Sequence, residues 1–431
     1  MVRIAVPEKT ANVNGEFWSS RERKYWTIAL FFGLMLLFMS RTVGPVTMVA
    51  LAKEFQWNKE VQGSVLSTFF WGAAMSHFPS GWLSDIYGGD NVLFWTCTSW
   101  ITVTFVTPFV LRSPYLLVSS STMYLFLRFF MGFFQGAFSG SMASLLGKKL
   151  ETSHKSSTNG IINSGACIGS VVIGVAGSLL LDNVDWGSAF YCVGIAGITW
   201  LIIWRFTLFN RGDLKQPNDE QGQQSSGSKF LSVPWLSFLS HCPLWAMIFA
   251  DISISICFHG LSTWLPSYFH DTFPQSKGWI FNVIPWLINS PCAFISGIWA
   301  DYLLHKGYSL TCVRKFFNIL AQLGAAFSLI LLSHCESFPL ALMFMTLAIG
   351  MTGFHNAGGM VLPQDMAPEY AGSVAGFSNT VSTFSVFGAI YFSGHVLTAS
   401  QSWPLYFNVV AGVCILGCAI FTIFASAKRI Q

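Results

Sequence analysis

Residues 26–51 read WTIALFFGLMLLFMSRTVGPVTMVAL, twenty-six residues in which Arg41 is the one charged side chain. About twenty predominantly apolar residues cross the hydrocarbon core of a bilayer as a helix, so this run is long enough to span it. Runs of the same kind recur at 61–83, 92–111, 116–146, 160–181 and 186–209, and again at 243–269, 279–300, 316–333, 338–362, 370–397 and 403–427. The sequence therefore predicts an all-α membrane protein of twelve transmembrane helices. Composition agrees: of 431 residues 53% are hydrophobic and only 10% charged, with a mean hydropathy of +0.54, whereas soluble domains carry roughly 25% charged residues. A soluble domain is excluded and the lipid bilayer is the first expected partner. The formal charge of +4 is small and points to no nucleic-acid partner.

Nine of the ten cysteines fall within or beside apolar runs, leaving Cys335 in a short loop, which is no disulfide framework. The first twenty residues hold Glu8 and Glu16 and no apolar core, so no cleavable signal peptide is expected before the first helix.

Cytoplasmic loops collect Lys and Arg. Twelve crossings put 17 of the 23 basic residues on the side of the termini and four, Lys53, Lys59, Arg112 and Lys277, on the other. Both termini are expected in the cytoplasm. The expected organisation is a tail at 1–25, a six-helix half at 26–209, a linker at 210–242, a second half at 243–427 and a tail at 428–431. The linker rests on NRGDLKQPNDEQGQQSSGSK (210–229), rich in Gly, Ser and Gln. The following FLSVPWLSFLS reads as an interfacial segment with Trp235 at headgroup level. A shift of 216 residues maps Gly81 and Asp85 onto Gly297 and Asp301, and Gly160 and Asn163 onto Gly376 and Asn379. Two parallel six-helix halves follow from that repeat.

The remaining two basic residues, Arg41 and Arg128, lie inside helices. Each costs about 2.5–3.5 kcal/mol at a helix centre, so both are expected to face a polar interior. In YLFLRFFMGFFQGAFSG (124–140), Arg128 shares a face with Gly132, Gln135, Gly136 and Gly140, which suits either close packing or a water-filled cavity. The paired guanidinium groups read as an anion site, because their planar forks match phosphate or carboxylate; the alternative is an ion pair between helices. Asp251 is the one carboxylate well inside an apolar run, so at most one arginine is neutralised by it. His259 and His77 read as titrating groups or as neutral interior histidines. Trp71, Trp264 and Trp286 read as stacking platforms or as packing. Asp85 and Asp301, each following Gly-x-x-x-Asp at a helix end, read as gate contacts or caps. No P-loop, HExxH, CxxC pair or GxSxG occurs, so no enzyme, metal site or cofactor chemistry is expected.

Two six-helix halves with Gly-x-x-x-Asp after helices 2 and 8 resemble the major facilitator superfamily. FQWNKEVQGSVLSTFFWG (55–72), WLPSYF (264–269) and QDMAPEYAGSVAGFSN (364–379) are similar to family 17 of the solute carriers, the vesicular and lysosomal organic-anion transporters. FPQSKGWIFNVIPWL (273–287) and GYSLTCVRK (307–315) resemble its vesicular nucleotide transporter branch. The resemblance implies movement of nucleotide anions such as ATP, ADP and GTP from the cytosol into secretory vesicles or lysosomes. It further implies a membrane-potential drive, alternating access, chloride as a modulator and a monomer. An organic-anion or phosphate substrate of the same family is the alternative. Position by position, it carries the essential helix 1 arginine onto Arg41 and the helix 4 arginine onto Arg128; the further substrate-binding candidates read from the residues are Gln135, His259, Trp264, Trp71 and Asn379. Three departures matter: Gln135 stands where proton-coupled relatives have a carboxylate, Ile254 where glutamate carriers have an arginine, and Ile86 where the superfamily's loop motif has one.

Overall fold

The computed structural model describes residues 18–113, 119–150, 152–209, 238–367 and 371–428. Among them are twelve long helices and no strand: α1 (Ser20–Phe55), α2 (Lys59–Tyr87), α3 (Gly89–Leu111), α4 (Ser120–Lys149), α5 (Thr152–Asn183), α6 (Trp186–Trp204), α7 (Cys242–Thr272), α8 (Gly278–His305), α9 (Leu310–Leu332), α10 (Phe338–Thr352), α11 (Ala371–Ser400) and α12 (Trp403–Phe424). A helix satisfies its own backbone, which lipid cannot do for it. Side chains close the ends: Ser19 and Glu22 form a reciprocal cap on α1, and Asn58, Ser119, Asp185, Ser309 and Ser402 cap α2, α4, α6, α9 and α12. The linker at 210–229 and Trp235 lie outside the described residues.

Ten of the twelve are long and apolar enough to cross a membrane; α2 and α4 fall short among the described residues. These two carry the serines and glycines because they face each other. A Cβ on Gly132 would lie 1.9 Å from the Phe69 carbonyl oxygen, and one on Gly72 2.0 Å from that of Phe129. Their backbones touch, as small residues at four-residue spacing permit between membrane helices. The glycine face of α4 is thus a packing surface, not the wall of a water-filled cavity. α1 and α5 meet the same way, with Gly165 against Phe31 and Gly169 against Met35.

The halves meet along α2–α11 and α5–α8. Gly63 of α2 sits against Gly394 of α11, and Asn282 Nδ2 of α8 donates to Ser178 Oγ of α5 at 3.0 Å. An ion pair locks this end, where Lys59 holds Asp271 at 2.7 Å, and Glu60 lies 3.4 Å from the His395 ring beside it. Among the described residues, every ion pair between halves lies at this loop end, opposite the end at which α1 begins and α12 finishes.

Two expectations need correction. The apolar run 338–362 is not one helix: α10 stops at Thr352, a 3-10 turn covers Gly353–Ala357, and a helical turn follows at Leu362–Met366. Hydropathy is blind to this break, at which Gly358 takes φ −97° and ψ −100°, a conformation a glycine tolerates. Helix 9 begins at Leu310, not 316, because Ser309 caps it. Arg314, assigned by sequence to a charged loop, is consequently a buried residue of that helix, with Nε on Asp365 at 2.8 Å and Nη1 on the Ala357 carbonyl at 2.9 Å.

Candidate functional site

Phe69 lies ten residues into α2, about 15 Å from its end at 1.5 Å per residue, which is half the thickness of a hydrocarbon core. Its ring receives both interior arginines. The Arg41 guanidinium carbon is 4.8 Å from the ring centroid and that of Arg128 5.2 Å. Phe38 and Phe70 also flank Arg41, at 5.6 and 5.5 Å, and Tyr124 flanks Arg128 at 6.0 Å. Cation–π contacts of this kind are worth about 2 kcal/mol when desolvated, so the rings hold the guanidinium groups without neutralising them.

No carboxylate pairs with either arginine among the described residues. Arg128 is 3% exposed; its Nη1 reaches only the Met131 sulfur at 3.6 Å, and the buried Nε atoms of Arg41 and Arg128 both lack a partner. Sharing one ring, the two cations stand no more than about 10 Å apart, where two unit charges repel by about 1.7 kcal/mol at an effective dielectric near 20. An anion between them turns that repulsion into two attractions.

Asp251, the carboxylate expected to neutralise at most one of them, is engaged elsewhere. Asp251 Oδ1 lies 2.9 Å from His355 Nε2, Ser378 donates to Oδ2, and His355 Nδ1 lies 3.0 Å from Asn318 Oδ1. This buried network joins α7, α9, the turn after α10 and α11. His355 was missed because a lone histidine in a glycine-rich apolar stretch carries no signal until the helix breaks around it.

The arginines open onto a cavity of about 40 Å³, room for about three waters at one probe sphere each. The N-terminal half supplies Phe38, Arg41, Thr42 and Pro45 from α1, Phe69 and Phe70 from α2, and Arg128 from α4. The C-terminal half supplies Phe258, His259, Ser262 and Thr263 from α7 and Trp286 from α8. Small-molecule pockets run to about 300–1,000 Å³, so the halves must part to admit a ligand of any size.

Of the residues singled out in the sequence, Arg41, Arg128 and His259 come together here. Gln135 lies two turns along α4, 5% exposed, where its Nε2 donates to Ser40 Oγ at 3.2 Å. Trp264 is 1% exposed in the core of the C-terminal half, its indole N–H on Ser393 Oγ at 2.8 Å. Trp71 packs between Phe129 and Phe387 on the α2–α11 side. Asn379 is exposed on α11, and Asp301 is exposed near the end of α8. None of these five lines the cavity. The Asp85 side chain lies outside the described residues. Trp286, by contrast, stands in the wall.

A helical bundle of two six-helix halves around a central cationic cavity defines a membrane transporter, and the chain belongs to the Major Facilitator Superfamily, whose pattern matches residues 30–390. Within that superfamily it is a member of the SLC17 solute carriers: it is 33% identical to the voltage-gated purine nucleotide uniporter SLC17A9 of Mus musculus, over 99% of this chain and 96% of the other. It is also 30% identical to the chloroplastic sodium-dependent phosphate transport protein 1 of Arabidopsis thaliana, over 96% of this chain and 81% of that one. Among solved structures, a bacterial homolog of the human lysosomal transporter Spinster, in an inward-facing and occupied conformation, superimposes with a TM-score of 0.73 over 94% of this chain and 97% of the other. The identity there is 13%, so that likeness speaks for the fold alone.

Proposed function

We propose that this transporter carries nucleotide anions such as ATP, ADP and GTP from the cytosol into secretory vesicles or lysosomes. The observation that carries the reading is the pair of mid-membrane guanidinium groups, Arg41 and Arg128, sharing one cavity with no carboxylate on either among the described residues. The similarity to a purine nucleotide uniporter supports the nucleotide over other anions.

In the proposed cycle the chain works as a monomer with both termini in the cytoplasm. The halves, at 26–209 and 243–427 with the linker 210–242 between them, are latched at the loop end by Lys59–Asp271 and Glu60–His395. Substrate enters from the opposite end, its phosphates engage Arg41 and Arg128, and rocking of the halves breaks the latch and opens the lumen. With Gln135 in place of an acid beside the site, the membrane potential supplies the drive. Four negative charges moving through about 100 mV gain about 9 kcal/mol, a ceiling of roughly 10⁶-fold accumulation. Chloride modulates the cycle.

The test is uptake of labelled ATP into proteoliposomes, with unlabelled ATP, ADP, GTP, phosphate, sialate and glutamate as competitors, with and without chloride. Competition by the nucleotides alone supports the reading. Competition led by inorganic phosphate would favour the second reading, which the relative from Arabidopsis thaliana supports.

A further inference from the structure

The cavity is divided by chemistry along the same line that divides the halves. Both cations belong to α1 and α4, while the opposite wall, from α7 and α8, holds two aromatic rings, an imidazole and two hydroxyls and no fixed charge. Much hydrogen-bonding capacity on that wall is unspent. Among the described residues no hydrogen bond is found for the Trp286 indole N–H, the nitrogens of the His259 ring, which packs against Phe70 and Phe258 at 5.1 Å each, or the hydroxyl of Thr263, 4% exposed. Trp286 meets Phe258 edge to face at 5.6 Å and 87°, its one ring contact among the described residues, so no ring is stacked on the indole, which lines the cavity. Its neighbours fix it: Asn282, one turn earlier, is tied to Ser178 of the other half, and the Trp286 carbonyl faces the Cys167 thiol at 3.5 Å.

A cavity-lining aromatic ring with no other ring stacked on it, beside open donors, is the surface on which a planar heterocycle stacks. Resting on the nucleotide reading above, we propose that Trp286, with Phe258 behind it, is the platform for the nucleobase, and that His259 and Thr263 meet the polar edge of the base or the sugar. The polyphosphate lies on the arginine wall and the base on the aromatic wall, so a whole nucleotide bridges the two halves. A bare polyphosphate touches only the first. Base recognition therefore sits on the half that must move relative to the arginines, and the substrate itself is the link that draws the halves together. Pyrophosphate binds without being carried efficiently.

Equilibrium binding of labelled ATP and labelled pyrophosphate to the purified protein, for wild type, Trp286→Leu and Trp286→Phe, tests this. Leucine keeps apolar bulk and removes the ring; phenylalanine keeps a ring. Expected are an ATP affinity reduced roughly 10-fold in Trp286→Leu, retained within about 3-fold in Trp286→Phe, and pyrophosphate binding within about 2-fold of wild type in both. Equal losses for ATP and pyrophosphate would make Trp286 a packing residue and overturn the proposal, as would no loss in Trp286→Leu. Wild type that binds pyrophosphate as tightly as ATP would remove the base contact and leave the anion site standing. Wild type that binds neither would overturn the nucleotide reading itself. A second readout is uptake: pyrophosphate should block ATP uptake while entering at less than about a tenth of its rate, and equal entry would refute the bridging role.

Discussion

Gly44 lies one turn beyond Arg41 on α1, and a Cβ placed there would stand 2.7 Å from Nη1, 2.8 Å from Cζ and 3.0 Å from Nη2 of Arg128. Gly44→Ala thus strikes the whole guanidinium fork and no backbone. Ordinary contact begins near 3.4 Å, so the fork must retreat by roughly 0.7 Å. It is the free end of a flexible side chain, so the fold should survive. Two charge-assisted hydrogen bonds to the substrate are misaligned, each worth about 1.5–3 kcal/mol. Loss of half of one raises the half-saturating ATP concentration about 4- to 12-fold. The assay pairs concentration-dependent uptake in proteoliposomes with the thermal unfolding midpoint in detergent. An unchanged midpoint with weakened uptake is expected. Unaltered half-saturation in a folded Gly44→Ala protein would mean that Arg128 does not hold substrate.

Gln135→Glu buries a carboxylate beside Ser40 with no cation in contact, and should depress uptake and introduce a dependence on pH between about 6 and 8; a flat profile at wild-type rate would separate Gln135 from the site. Gly132→Ala drives a Cβ to 1.9 Å from the Phe69 carbonyl oxygen, so α2 and α4 must separate and the yield of folded protein should collapse; a normal elution profile and midpoint would refute the contact. Asp251→Ala strands His355 and Ser378, at about 1–3 kcal/mol for each buried group left unsatisfied, and should lower the midpoint more than Asp251→Asn does. At the loop end, burial raises the Asp185 carboxyl pKa, but the Ser188 amide and Arg112, 2.8 Å away, outweigh it and hold the group below the usual carboxylate range. A depressed carboxylate contributes stability above its unfolded pKa and loses it only as pH falls through the folded value, so acidification from pH 7 to about 5.5 should leave the Arg112–Asp185 contribution intact. A midpoint difference between wild type and Arg112→Ala that vanishes already at about pH 6 would contradict this.

The twelve helices were legible because ten are apolar enough to cross a bilayer and the other two fall in sequence between them, and Arg41 and Arg128 because a charge in an apolar run needs a reason to be there. Which face of each helix turns inward was far less legible. Lipid is as apolar as the protein interior, so no polar face marks the outside, and Trp71, Trp264 and Trp286 look alike in sequence. Backbone contacts decide among them: α2 lies flush on α4 through Gly72 and Gly132, and this carries Trp71 to the α2–α11 side and Phe69 to the arginines. The break after Thr352 was hidden for a related reason. Hydropathy averages over Gly353–Ala357 as it would over a helix, yet that turn carries His355 to Asp251 and so engages that carboxylate away from both arginines.

The central claim is that Arg41 and Arg128 together bind a multiply charged anion that the membrane potential then moves. Its most direct test is uptake of labelled ATP into proteoliposomes under an imposed inside-positive potential of about 100 mV and at zero potential, for wild type, Arg41→Ala and Arg128→Ala. The account predicts steep, potential-dependent accumulation by wild type and none by either folded variant. Uptake by wild type that ignores the potential, or that persists in either arginine variant, would contradict it.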